Sequence, residues 1–244
     1  MRRLGALLVV LGVTACGDGG GERADEGGLG GNAIVKTLAA QELTGPAPPG
    51  VRWIAHELRL ERGGRIEHAH EPAFVYAREA GHRLTIEGEA SELEERAGAA
   101  VPGAVRHVHE GAQGSPSVFW EVRLARAGSR APSAAEARTV FESEPVEGAP
   151  PQARAVFVYV LLPPGGATSV HTHPGSELIY QLTGRIDYQN ALVGTIRIGP
   201  GALEGIPPET AVQKRNPSAT AAEFLSWFLV DPERPFASPA GFGE

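Results

Sequence analysis

GGATSVHTHPGSELIYQLTG, residues 165–184, decides how the rest of the chain is read. His171 and His173 are two apart, so on a β-strand both imidazoles leave the same face. Glu177 follows four residues on, after a Pro174-Gly175 pair that bends or bulges a strand. Residues 178–183 make a second β-favouring run that stops at Gly184. Two neutral imidazoles and one carboxylate projecting inward hold a divalent transition metal and leave coordination positions open. The stretch predicts a strand-built metal site.

Moving outward, the same pattern occurs earlier. An offset of 103 residues aligns Gly63 with Gly166, His68 with His171, His70 with His173 and Gly81 with Gly184, without a gap. Beyond that span an offset of 105 pairs Pro102 with Pro207 and Phe119 with Phe224. Two H-x-H pairs with their trailing glycines in register indicate an internal duplication. Short alternating runs separated by turn residues fill both copies: 51–60, 65–70, 74–76, 83–87 and 118–124 in the first, 156–161, 169–173, 177–183, 184–189, 195–198 and 224–230 in the second. The connection, residues 127–139, is small and polar with room for a short helix over 133–138. The tail, 232–244, carries three prolines and reads as an extended or loose arm.

Composition agrees with many strands and turns: 244 residues, 42% hydrophobic, with 32 Gly and 20 Pro. The formal charge is −7 and the only basic cluster is Arg2-Arg3, which argues against nucleic-acid binding. Cys16 is the single cysteine, so no disulfide forms within the chain. It ends the segment MRRLGALLVVLGVTAC, which resembles a bacterial lipoprotein signal with its lipobox at residues 13–16. The resemblance implies cleavage before Cys16, a diacylglycerol on its thiol, and anchoring to the cell envelope on its periplasmic or extracellular face. The apolar run from 4 to 13 is too short to span a bilayer as a helix, which takes about 20 residues. The Gly-rich, acidic stretch 16–32 reads as a flexible tether.

The second copy resembles the cupin superfamily. Gly165, His171, His173, Glu177 and Gly184 meet every position of that family's first motif. Gly201, Pro207 and Asn216 fit the second, but Glu209 replaces its inner glycine and Val212 stands at its histidine. The first copy keeps His68, His70, Gly81, Pro102 and His107, with Phe74 aligned to the ligand Glu and His109 two beyond His107. The resemblance implies an all-β chain of two tandem jelly-roll barrels: a degenerate cupin domain at 33–126, then a second at 140–231, behind the signal segment 1–15. It implies a metal on His171, His173 and Glu177, and more weakly one on His68, His70 and His107. Parity with Glu177 also turns Gln181 inward, as a candidate substrate contact.

Such a site suits Fe, Mn, Ni, Cu or Zn. Its open positions are compatible with a metal-dependent enzyme on a small molecule, dioxygenase-like or isomerase-like, with catalytic residues unidentified. The alternatives are a non-catalytic module binding a small ligand or metal, and a structural cupin whose barrels serve homodimerisation. Fold alone does not choose among these.

Overall fold

The computed structural model describes residues 30–129 and 137–243. Cys16, the signal segment and nearly all of the tether lie outside them. The helix expected over 133–138 falls mostly outside as well, and its last residue, Arg138, opens a strand. Every regular element among the described residues is a β-strand. In order these are β1 (Ile34–Glu42), β2 (Val51–Leu60), β3 (Arg65–His68), β4 (Ala73–Glu79), β5 (His82–Ile86), β6 (Glu89–Leu93), β7 (Gly98–Val101), β8 (His107–Gly111) and β9 (Ser117–Arg126). The second half continues with β10 (Arg138–Glu142), β11 (Arg154–Leu162), β12 (His171–Thr172), β13 (Gly175–Thr183), β14 (Ile186–Asn190), β15 (Gly194–Ile198), β16 (Leu203–Ile206), β17 (Val212–Arg215), β18 (Ala222–Val230) and β19 (Ser238–Pro239).

They form two antiparallel barrels. The N-terminal barrel has a larger sheet, β10-β2-β9-β4-β7, and a smaller one, β3-β8-β5-β6. The C-terminal barrel repeats this with β1-β11-β18-β13-β16 and β15-β14-β17-β12-β19. The two larger sheets pack on each other through Trp53, Phe74, Tyr76 and Trp120 on one side and Phe157, Leu178, Leu225 and Trp227 on the other. Phe157 stacks on Trp227 with ring centroids 5.2 Å apart, and Phe74 lies 5.5 Å from Phe157. Burying each such phenylalanine contributes roughly 2 kcal/mol.

Strand β9 shows how one sequence serves two cores. Trp120, Val122 and Leu124 face the neighbouring barrel. Phe119 points into its own barrel, and alternation sends Glu121 and Arg123 the same way.

The first strands are exchanged. β1 precedes the N-terminal barrel in sequence but pairs with β11 of the other, from Ile34 opposite Leu161 to Glu42 opposite Arg154. β10 returns to the N-terminal barrel, setting Phe141 opposite Ala55 on β2. Each exchanged strand covers what would otherwise be an open sheet edge. The tail packs rather than hangs loose: Ser238 pairs with Thr172, and Phe236 lies against Phe228.

The ladders also correct the alignment of the two copies. Phe74 does not stand at the position of Glu177. Ala73 lies opposite Arg123 and Glu177 lies opposite Phe228, and the 105-residue offset relates Arg123 to Phe228. The inward position matching Glu177 is therefore Ala73, while Phe74 faces the inter-barrel core. The connection between the second histidine and this strand is one residue shorter in the first copy, and the shift persists into the next strand, so Ala80 (φ 50°) stands at the turn position that Gly184 (φ 68°) holds in the second.

Candidate metal centre

Six of the eight histidines lie in the N-terminal barrel half. Four of them converge on one carboxylate. Glu121 is fully buried, and its Oε1 has around it His68 Nε2 at 2.8 Å, His109 Nε2 at 3.0 Å, His70 Nε2 at 3.4 Å and His107 Nε2 at 3.5 Å. The potential ligand atoms of His68, His107, His109 and Glu121 all lie within 4.8 Å of one another. His68 and His107 face each other across the β3–β8 ladder, and His109 is two further along β8 on the same face.

The outer ring nitrogens fix the inner ones. His107 Nδ1 donates to the Val105 carbonyl at 3.0 Å, and His70 Nδ1 donates to that of Glu71 at 2.6 Å. A neutral ring so anchored presents an Nε2 lone pair inward. Buried lone pairs then face a buried carboxylate oxygen, an arrangement that needs a cation or extra protons among them. Glu121 Oε2, His70 Nε2 and His109 Nε2 have no aligned hydrogen-bond partner among the described residues. Burial alone would raise the Glu121 pKa, but the His107, His109, His68 and His70 rings gathered around it hold it well below the usual carboxylate range. Burial lowers that of His109. Neutral imidazoles and an ionised carboxylate are the states that ligate metal, so this donor set fits a divalent transition metal.

A second row of side chains supports the first. His82 Nε2 lies 3.1 Å from His109 Nδ1, and both rings stack on Phe119 at 4.5 Å. Burial brings the His82 pKa to about 3, so the ring is neutral. His56 is buried with Nδ1 3.5 Å from an Arg123 nitrogen, and Arg123 also donates to Glu71 at 3.0 Å. Sequence reasoning gave His56 and His82 no role and passed over Glu121 and Arg123. The signal was present: a carboxylate inside the apolar run VFWEVRL is costly unless it has partners.

In the C-terminal barrel His171, His173 and Glu177 do come together, with His173 Nε2 3.8 Å from a Glu177 oxygen. Gly175 makes this possible. A Cβ there would come within 1.8 Å of the Leu229 carbonyl, so only glycine lets β13 run this close to β18. His171 Nδ1 donates to the Ser169 carbonyl at 2.8 Å, and His173 Nδ1 donates to that of Phe236 at 2.7 Å. The sequence reading did not foresee Lys214. Its Nζ lies 2.8 Å and 3.0 Å from the two Glu177 oxygens, and Ser226 donates to one of them at 2.9 Å. Lys214 is two residues past Val212, on the inward face.

Gln181 is fully buried, but its Nε2 donates to the carbonyls of Thr183 and Glu223, across the irregularity where β13 leaves β18. Its amide is used by the sheet. A cavity of about 550 Å³ lies between residues 142–147 and strands β13 and β16, with Trp53, Leu178, Leu203 and Ile206 on its walls. The histidine cluster is not part of that lining.

Two jelly-roll barrels joined through their larger sheets, with inward H-x-H pairs, define a two-barrel cupin. Residues 158–228 match the family model described as a cupin domain. No curated protein matches the chain in sequence. Among solved structures, the oxalate decarboxylase of Lactobacillus farciminis, determined as a formate complex, is similar at 12% identity and a TM-score of 0.58, covering 84% of this chain and 88% of that one. A mutant of the Bacillus subtilis oxalate decarboxylase gives 14% and 0.57, covering 82% and 78%. Another structure of that Bacillus enzyme concerns its Mn(II) centres. AerE from Microcystis aeruginosa gives 13% and 0.51, covering 80% and 99%. At such identities the likeness establishes fold. Residues 158–228 thus carry a cupin domain, and the chain as a whole has the two-barrel cupin fold.

Proposed function

We propose that this protein is a metal-binding bicupin whose N-terminal barrel holds one divalent transition metal on His68, His107, His109 and Glu121, with His70 as a further donor. The observation that carries this reading is the convergence of four imidazole Nε2 atoms on one buried carboxylate oxygen. Bound there, the metal would supply Lewis-acid or redox chemistry toward a small molecule, dioxygenase-like or isomerase-like in class. The chain's own part is to orient the rings and fix which nitrogen faces inward, through the Val105 and Glu71 carbonyls and the His82 ring, and to exclude bulk water.

One observation favours a second reading, a non-catalytic module that holds metal. Five protein donors would leave a six-coordinate ion a single open position, and His107, His109 and Glu121 are fully buried. The lipobox-like residues 13–16 support anchoring to the bacterial envelope through Cys16, which Cys16→Ser should convert to a form absent from the membrane fraction.

The chain purified in detergent, then stripped and offered Mn, Fe, Ni, Cu and Zn in turn, should retain one equivalent of metal by elemental analysis. Glu121→Ala and His109→Ala should lose it. A wild-type chain that stays metal-free with all five ions overturns the reading. With metal content established, turnover of small organic acids separates the enzyme from the holding module.

A further inference from the structure

The C-terminal barrel keeps the better-preserved cupin motif, yet its side chains do not fit a divalent metal. Four equivalent positions show why. Across the 105-residue offset, Val212 replaces His107, Lys214 replaces His109 and Ser226 replaces Glu121, while Glu177 takes the place of Ala73. The second copy has thus lost two imidazoles and gained an ammonium. Lys214 is only 2% exposed, and its Nζ engages both Glu177 oxygens at 2.8 and 3.0 Å. The Ser226 hydroxyl donates to Oε1 at 2.9 Å, so each carboxylate oxygen already accepts from a donor. The Lys214–Glu177 pair sums to zero charge. A dication entering there would have to displace the ammonium from Glu177 and leave two positive charges uncompensated at a buried position. In the N-terminal barrel the opposite holds, with lone pairs left facing one another around Glu121.

We infer that the Lys214 ammonium is the resident cation of the C-terminal barrel, that this barrel takes no metal in the native chain, and that His171, His173 and Glu177 are a latent metal site closed by this one side chain. Removing the charge should open it. Lys214→His is the most direct change, because it restores an imidazole at the position His109 occupies in the other barrel. The inference rests on residues separate from the N-terminal cluster.

The test is Co(II) titration of the full chain in detergent, followed by visible absorption and elemental analysis. Wild type should bind one equivalent and Lys214→His two, a twofold rise, with Lys214→His/His171→Ala returning to one. In a Glu121→Ala background the counts should be zero with Lys214 and one with the histidine. If the N-terminal reading fails while this one holds, wild type binds none and Lys214→His binds one. His171→Ala in the otherwise native chain keeps the inference exposed even if Lys214→His does not fold: its metal content should equal that of wild type. Loss of an equivalent in His171→Ala, or a folded Lys214→His with unchanged stoichiometry, overturns it.

Discussion

The two barrels solve one problem in two ways. Each places a carboxylate at the centre of a closed sheet, where an unpaired charge costs several kcal/mol. The N-terminal barrel surrounds Glu121 with four imidazoles, on β3, on the turn after it and on β8. The C-terminal barrel meets Glu177 with one ammonium and one hydroxyl. The carboxylate has also changed strands, arising from β9 in one copy and from β13, the counterpart of β4, in the other. A duplicated site therefore conserves an inward carboxylate more faithfully than the position that carries it. The H-x-H pair persists in both barrels, but what stands opposite it decides whether an external ion is needed.

This contrast can be broken most forcefully at Glu177. Glu177→Ala strands the Lys214 charge, and urea unfolding should show a loss of about 3–5 kcal/mol whether or not metal is present. A loss that appears only in metal-loaded protein would mean that the two barrels resemble each other after all. Acid offers a second, somewhat smaller effect. Burial pushes the His173 pKa from its ordinary value to about 4, against the partial opposition of Glu177. The unfolded chain takes that proton first, so this contribution is complete above pH 6.5 and declines as pH falls from 6.5 to about 4, by about 3 kcal/mol in total. Thermal melts of His173→Phe against wild type across that window should show the variant less acid-sensitive; parallel curves would remove His173 from the account. The smallest effect sharpens the N-terminal side. His82→Phe should keep the fold and weaken metal binding roughly 10–100-fold, as expected when the partner that orients a ligating histidine is lost. His82→Gln, which retains a polar partner for His109 Nδ1, should recover part of it.

Much of the architecture was legible in the chain itself. The H-x-H pairs, the trailing glycines and the 103-residue offset carry the duplication, and period-2 alternation marks most strands that line the barrels. The site was harder to read, because linear alignment hides local slippage. Gly81 and Gly184 align in the sequence although Ala80 holds the equivalent turn position, and this chance match projected a Phe74–Glu177 correspondence when Ala73 belongs there. Glu121 went unseen because its cost in an apolar strand is met by residues 12 to 53 positions away. Lys214 was overlooked beside the missing histidine at Val212, although two-residue periodicity places both on one face. Strand β1, IVKTLAAQE, has little alternation and only partial burial, so nothing local in it announces membership of the far barrel.

The exchanged strands have a consequence for how this protein is made. Ile34 meets Leu161 across more than half the chain, and that ladder cannot close until β11 exists. During synthesis the first barrel also waits for β10 to cover β2, by which point the connection has already left the ribosome. Contacts of such long sequence separation slow folding and tie distant segments into one event. The molecule thus behaves less as two beads on a string than as one interlocked unit, and a cut between the barrels leaves each piece holding the other's edge strand.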